Sequence, residues 1–185
     1  MTKEIYFVTG NKDKLREVKE ILNIHGIEIL QAEIDLPEFQ GSYEEVSIAK
    51  AKMAYDKLKK PLFVDDTSLS FTALNGLPGV YIKDFLSALG HEGLNKILSS
   101  YDDKSATARV TLTYVDEDQV KTFVGECKGK IVMPKVKGGF KFGWDPIFEP
   151  NQFPGETFST ISAEDKNSIS HRRKALDKFK EFLGN

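Results

Sequence analysis

The segment KKPLFVDDTSLSF, residues 59 to 71, places two adjacent carboxylates directly after a short apolar run. Residues 62–64 (LFV) are typical of a buried strand, and Asp65 and Asp66 follow them. Because two like charges side by side repel each other, we expect a positive group beside the pair or full hydration of both side chains. The alternative is an ordinary turn at a strand end, where aspartate is common.

Strand-like and helical segments alternate in the first part of the chain. Residues 3–9 and 27–34 are rich in apolar and β-branched residues, which predicts two strands before the strand at 62–64. Apolar residues at helical spacing predict a helix from 11 to about 26, and a second helix over 42–58 begins with a capping box. This alternation indicates a mixed α/β fold.

The second part of the chain predicts a further strand, helices and a hairpin. Residues 68–74 predict the strand, residues 80–100 one or two helices broken near Gly90, and the tail a terminal helix. Residues 106–132 alternate in long runs around DEDQ, as in a β-hairpin. We expect a single domain of two lobes around a central cleft, with a long mixed β-sheet flanked by helices. The domain spans 1–185, and the approximate lobes are 1–75 with 140–185, and 76–139.

Composition and charge narrow the class of function. The 185 residues are 40% hydrophobic and 29% charged, which suits a domain with a proper core. The net charge of −2 argues against a protein whose main task is to coat nucleic acid. No apolar run is long enough to span a membrane, and the N-terminus does not resemble a signal peptide. The single Cys127 favours a reducing, cytoplasmic setting.

The stretch TGNKDK, residues 9 to 14, connects the first strand to the first helix. Thr9 ends the strand, Gly10 permits a tight turn, and the helix begins near Asn11. Backbone N–H groups at a helix N-terminus favour an anion, which Lys14 in the first turn is placed to reach as well. The alternative is a capped helix with a surface lysine.

Carboxylates follow the second and third predicted strands. Glu38 comes after the second strand, and Asp65 and Asp66 come after the third. If the first three strands are parallel, these side chains lie at one edge of the sheet, where ligands of α/β proteins bind. Hard cations such as Mg²⁺ bind one or two carboxylates with water and phosphate, and a cation would relieve the repulsion between the aspartates. The alternatives are that Glu38 is a solvated loop residue and that Asp65 and Asp66 form an ordinary turn at a strand end.

Two lysines and an aromatic turn are further candidates. Lys50 and Lys83 lie among apolar residues, where each either directs its charge into a binding site or extends it to water. Within FGWDP, residues 143–146 predict a turn that holds the chain's only tryptophan and a carboxylate. This turn forms either a small hydrophobic cluster or a platform for a planar base.

Basic residues cluster at the start of the terminal helix. Lys166, His171 and Arg172 lie there, where a positive charge opposes the helix dipole. Such placement favours an anionic or acceptor-rich ligand. The alternative is that these basic residues are ordinary side chains at a helix N-terminus and have no role in binding.

The order of these motifs over nearly the whole chain resembles the inosine triphosphate pyrophosphatase family, also called Ham1-like. The motifs that carry the resemblance are FVTGNKDK, IDLPEFQG, SIAKAK, VDDTSL, GLPGVYIK, FGWDP and EDKNSISHR. IDLPEFQG and GLPGVYIK are most similar to the eukaryotic members. Many of those members carry Glu-Asp where this chain has Asp65 and Asp66, which changes the reach of the first carboxylate more than its chemistry.

The resemblance implies a two-lobed homodimer that hydrolyses ITP, dITP and XTP to the monophosphate and pyrophosphate with Mg²⁺, which Mn²⁺ is able to replace. It assigns catalysis to Asp66 and its neighbour Asp65, and the metal to Glu38 and Asp66. By motif match the substrate-binding residues are Thr9, Gly10, Asn11, Lys14, Lys50, Thr67, Lys83, Phe142, Gly143, Trp144, Asp145, Lys166, His171 and Arg172. Two alternatives stay open: a nucleotidase of different base preference, and a nucleotide-binding module without catalysis.

Overall fold

Seven strands and five α-helices form the part of the chain that the computed structural model describes, residues 3–22, 25–136 and 142–184. The mixed α/β class predicted from the sequence is confirmed. In chain order the elements are β1 (Lys3–Val8), α1 (Lys12–Ile21), β2 (Ile27–Ala32), α2 (Tyr43–Leu58), β3 (Leu62–Phe71), β4 (Pro78–Gly79), α3 (Ile82–Ile97), β5 (Ser105–Val115), β6 (Val120–Ile131), β7 (Phe148–Pro150), α4 (Ala163–Ile169) and α5 (His171–Gly184). Within these described residues, no helix is long and apolar enough to cross a membrane.

The strands form one mixed sheet in the order β2-β1-β3-β5-β6-β7, and β4 pairs with β3. β1 runs parallel to β2 and to β3, which confirms that the first three strands are parallel. β5 and β6 are neighbours, and the N–H of Asp116 donates to the carbonyl oxygen of Gln119 at 3.1 Å in the turn between them. The predicted hairpin is therefore present.

β3 is longer than the sequence predicted. It runs from Leu62 to Phe71 as one strand, so Asp65 and Asp66 lie inside it and not after it. The separate strand predicted over residues 68–74 was wrong, since residues 68–71 continue β3 and Thr72–Leu74 form a short 3-10 helix. The prediction ended the strand early because aspartate is depleted from strands.

The predicted helix boundaries are correct at α2 and wrong at the end of the chain. Ser42 and Glu45 form the expected capping box at the start of α2. Lys166, however, belongs to α4 and not to the terminal helix, because Ser170 is extended and separates the two helices. His171 is the first residue of α5.

The chain divides into two compact units, each with its own hydrophobic core. Unit 1 comprises residues 1–66, 110–125 and 172–185, and unit 2 comprises residues 67–109 and 126–171. β3, β5 and β6 contribute residues to both units, so the unit boundaries differ from the lobe boundaries expected from the sequence. The assignment of the whole chain to a single domain stays a prediction.

Candidate active site

A buried network of ion pairs surrounds Asp65 in unit 1. Lys14 Nζ donates to Asp65 Oδ1 and to the backbone oxygen of Asp65, both at 2.9 Å. Arg172 Nε donates to Asp65 Oδ2 at 2.7 Å, and the same guanidinium pairs with Glu17. Two basic and two acidic side chains are thus combined, so the positive charge expected beside the aspartate pair is supplied by the chain itself.

The ion pairs of this network shift the pKa values of Asp65 and Arg172 so that both side chains stay charged. Burial raises the pKa of Asp65, but the charges of Arg172 and Lys14 outweigh it and hold that pKa well below its ordinary value. Burial acts in the opposite direction on Arg172, where Asp65 and Glu17 outweigh it and hold the pKa above its ordinary value. Asp65 is therefore ionised at neutral pH, and a carboxylate held so strongly in that form is a poor acceptor for a proton from water.

Asp66 has different surroundings from Asp65, because successive side chains of a strand point to opposite faces. Lys50 Nζ lies 2.8 Å from Asp66 Oδ1 and 2.8 Å from Glu38 Oε2, so one ammonium joins two carboxylates. Burial lowers the pKa of Lys50, but the two carboxylates outweigh it and keep that pKa above its ordinary value. Asp66 Oδ2 is buried and has no hydrogen-bond partner within the described part of the chain.

The carboxylates of Glu38 and Asp66 suit a hard cation that is shared with a phosphate. Among the residues described, no three or more His, Cys, Asp or Glu side chains are grouped to hold a metal ion. Mg²⁺ needs only one or two carboxylates when water and phosphate oxygens complete its shell. The unbonded Asp66 Oδ2 is an oxygen of the required kind, and Lys50 shows that the two carboxylates already converge on a positive charge.

The start of α1 is a capped helix, which was one of the two alternatives that the sequence left open. The Asn11 side chain caps the helix by accepting hydrogen bonds from two backbone N–H groups of the first turn. Thr9 Oγ1 accepts from the Asn11 N–H at 3.0 Å, and the turn at Gly10 has open space where a side chain would extend. The helix is therefore capped, but Lys14 is not a surface lysine, since it binds Asp65.

In unit 2, a turn at residues 142–145 carries a buried ion pair. The Asp145 N–H donates to the Phe142 carbonyl oxygen at 2.9 Å, so the turn is present and begins one residue before the predicted 143–146. Lys166 Nζ lies 2.5 Å from Asp145 Oδ2 and 4.7 Å from the centroid of the Phe142 ring. The turn thus supplies Asp145 and the Phe142 ring, and the short helix α4 supplies Lys166, which contacts both.

Aromatic rings pack behind this turn. Trp144 is 7% exposed, and its ring centroid lies 5.4 Å from that of His171. Phe158 stacks on the His171 ring with an interplanar angle of 11° and also packs against Trp144. The turn is therefore part of the core of unit 2, as the first sequence alternative expected, and its role as a platform for a base stays a prediction.

The predicted site residues fall into two groups, one in each unit. Unit 1 contains Thr9, Gly10, Asn11, Lys14, Glu38, Lys50, Asp65, Asp66 and Arg172. Unit 2 contains Thr67, Lys83, Phe142, Gly143, Trp144, Asp145, Lys166 and His171. Thr67 follows Asp66 within β3, and Lys83 is exposed in the first turn of α3.

Two residues in these contacts were not expected from the sequence. Glu17 is 7% exposed and pairs with Arg172, and its position one turn after Lys14 on α1 was the available signal. Phe158 stacks on His171, and no spacing in the sequence connects these two residues.

The fold and these side chains together define a class of mixed α/β proteins in which lysines from two helices, α1 and α2, pair with carboxylates of the strand β3. The chain belongs to the Ham1 family, whose model matches residues 5–182. The family predicted from the sequence motifs is therefore confirmed.

Individual relatives agree with this assignment. The chain is 56% identical over 182 residues to an inosine triphosphate pyrophosphatase of Yarrowia lipolytica, which covers 97% of this chain and 95% of that protein. The structure is similar to the Ham1 protein of Staphylococcus aureus, with a TM-score of 0.84 and 29% identity over 98% of each chain. It is also similar to a nucleoside-triphosphatase, described as a dITP/XTP pyrophosphatase, of Mycobacterium abscessus, with a TM-score of 0.73 and 27% identity over 95% of this chain and 98% of that one.

Proposed function

We propose that this protein hydrolyses the non-canonical purine nucleoside triphosphates ITP, dITP and XTP to the nucleoside monophosphate and pyrophosphate. The match to the Ham1 family over residues 5–182 carries the proposal, and the 56% identical relative named inosine triphosphate pyrophosphatase supports it. The contacts of the carboxylates and lysines are consistent with that chemistry.

Lys14 and Lys50 are the proposed phosphate-binding cations of unit 1. An ammonium group has three N–H donors. Asp65 accepts two from Lys14, while Lys50 donates to Asp66 and pairs with Glu38. Each lysine therefore has a donor left for a phosphate oxygen, where it stabilises the negative charge that develops on the leaving pyrophosphate.

Glu38 and Asp66 are the proposed ligands of Mg²⁺. When bound, this ion neutralises part of the triphosphate charge. The proposal rests on the buried, unbonded Asp66 Oδ2 and on the convergence of the two carboxylates at Lys50. Mn²⁺ is the proposed substitute, because it also prefers oxygen ligands.

The two aspartates receive different roles in this proposal. Asp66 accepts the proton of the water that attacks the α-phosphorus, since its Oδ2 has no partner within the described residues and two lone pairs, one for the metal and one for the water. Asp65 has both oxygens bound to basic groups, so its role is to position Lys14 and Arg172. In this proposal Asp66 takes part in proton transfer, and Asp65 holds the neighbouring basic side chains in place.

The turn at residues 142–145 is the proposed binding site for the base. A 6-oxo purine presents an acceptor at C6 where adenine presents a donor, so donors such as Lys166 and His171 favour hypoxanthine and xanthine. An unpaired buried polar group costs ~1–3 kcal/mol, which disfavours adenine at such a site. Arg172, also predicted to contact the base, donates to Asp65 and Glu17 in this structure, so its contact with the base stays a prediction.

A substrate panel tests the proposal. ITP, XTP, ATP, GTP, CTP and UTP are incubated separately with the protein and Mg²⁺, and release of the monophosphate is measured. We expect kcat/KM for ITP and XTP to exceed that for ATP by at least about tenfold, the effect of one unpaired polar contact. Preference for CTP or UTP would establish the alternative nucleotidase, and binding without turnover at any metal concentration would establish a binding module. The homodimer and the cytoplasmic setting stay predictions.

A further inference from the structure

The second half of α3 carries two side chains that bind the backbone at residues 132 and 143. Gly90 has φ of 64° and ψ of −178°, which breaks the helix, and His91 begins the segment after the break. His91 Nε2 lies 2.7 Å from the Gly143 carbonyl oxygen, and Asn95 Nδ2 donates to the Val132 carbonyl oxygen at 3.0 Å. Since His91 and Asn95 are one turn apart, they lie on the same face of the helix.

We infer that His91 is a positioning residue for the turn at residues 142–145, acting through the carbonyl of Gly143. The inference rests on the proposed function, which assigns the base to this turn. Gly143 has φ of +53°, in the left-handed region, where glycine imposes little restriction on the backbone. The hydrogen bond from His91 therefore restrains the backbone at Gly143, which glycine by itself leaves mobile.

The bond acts directly on the backbone of Trp144. The Gly143 carbonyl belongs to the peptide group that precedes Trp144, so His91 holds the plane of that peptide group. Trp144 is the chain's only tryptophan, and its ring packs against Phe148 with centroids 5.5 Å apart. Loss of the bond frees a glycine turn to move, and the Trp144 ring and the proposed base-binding surface move with it.

The expected kinetic effect is on substrate binding. The turn is assigned to the base and not to the reacting phosphorus, so a looser turn raises KM for ITP and leaves kcat nearly unchanged. Loss of one hydrogen bond of ordinary strength corresponds to a roughly two- to tenfold change. His91 is therefore not a catalytic residue, because it acts only through the turn.

The test compares three variants with the wild type. His91→Leu removes the donor, His91→Gln keeps an N–H donor at similar reach, and Glu92→Ala alters the exposed neighbouring residue as a control. Acrylamide quenching and the emission maximum of Trp144 report the turn without any substrate, and KM and kcat are measured with ITP. We expect stronger quenching and a KM raised about two- to tenfold for His91→Leu, with both restored by His91→Gln and unchanged in Glu92→Ala.

Two results would overturn the inference. One is wild-type quenching and wild-type KM in His91→Leu, and the other is failure of His91→Gln to restore either value. If His91→Leu does not fold, His91→Asn replaces it, because its shorter amide does not reach the carbonyl. If the wild type does not hydrolyse ITP, the proposed function fails, and the quenching comparison still decides whether His91 positions the turn.

Discussion

Arg172 and Asp65 form an ion pair that is almost completely removed from water. Arg172 Nε lies 2.7 Å from Asp65 Oδ2, and the two side chains are 2% and 0% exposed. The next residue along β3, Asp66, lies on the opposite face of the strand and keeps one oxygen without a partner among the described residues. Two adjacent residues of one strand thus differ in their contacts: Asp65 has both oxygens bound to basic side chains, and Asp66 has one unbonded oxygen.

We expect Asp65→Asn to destabilise the protein strongly. The change leaves buried Arg172 with a weaker acceptor, and breaking a buried pair costs ~3–5 kcal/mol. Urea unfolding gives the free energy of unfolding for the variant and the wild type. The matched control is Asp177→Asn, which breaks the exposed pair with Arg173 and should cost no more than ~1 kcal/mol. Equal losses in the two variants would contradict the network described here.

We expect Asp66→Asn to remove activity while the fold is retained. An amide does not accept the proton of water, and general-base catalysis contributes typically about 10²- to 10⁴-fold to a rate. The measurement is kcat with ITP, together with urea unfolding to confirm that the variant is folded. Turnover near the wild-type value would remove Asp66 from the mechanism.

We expect Glu38→Gln to reduce metal binding in an assay that needs no turnover. Mg²⁺ with pyrophosphate should raise the Tm of the wild type above its value with pyrophosphate alone, because a ligand that binds the folded state stabilises it. Glu38→Gln and Asp66→Asn should lose most of this Mg²⁺-dependent increase. Glu28→Gln, a change of an exposed carboxylate on β2, should retain it. An undiminished increase in Glu38→Gln would exclude Glu38 as a ligand.

We expect Glu149 to stabilise the protein at neutral pH and not in acid. Its carboxylate is 6% exposed and lies 3.1 Å from Lys130 Nζ and 3.7 Å from Lys135 Nζ. Burial raises its pKa, but the N–H of Gly155 and the two lysines outweigh burial and lower it below the ordinary 4.5. The stabilisation is therefore present above the pKa of the unfolded chain and is lost as the pH falls.

Unfolding of the wild type and of Glu149→Gln at a series of pH values tests this expectation. The difference between their free energies of unfolding should be largest near neutral pH and should decrease below about pH 4.5, where the unfolded carboxyl takes up its proton. A difference that stays constant over this range would show that charge on Glu149 does not contribute.

Features that depend on neighbouring residues were predicted correctly from the sequence. The capping box of Ser42 and Glu45 and the break at Gly90 were found because each follows from a few adjacent residues. The first three strands are parallel, which meets the condition that the sequence analysis set for bringing Glu38, Asp65 and Asp66 to one edge of the sheet. The family was recognised because its motifs are contiguous.

Pairings between distant residues were not predictable in the same way. The pairing of Arg172 with Asp65 was not expected, because no local pattern connects α5 with β3. The same pair explains why β3 was predicted too short, since a buried aspartate is tolerated in a strand when a distant arginine compensates its charge. The contact of His91 with the Gly143 carbonyl oxygen had no signal in the sequence either, because the two residues are 52 positions apart.

The position of the attacked phosphorus tests the central claim most directly. The protein is incubated with ITP and Mg²⁺ in ¹⁸O-labelled water, and the products are analysed by mass spectrometry. Attack at the α-phosphorus predicts IMP that carries the label, together with unlabelled pyrophosphate. Formation of IDP and phosphate, or of unlabelled IMP with labelled pyrophosphate, would contradict the account.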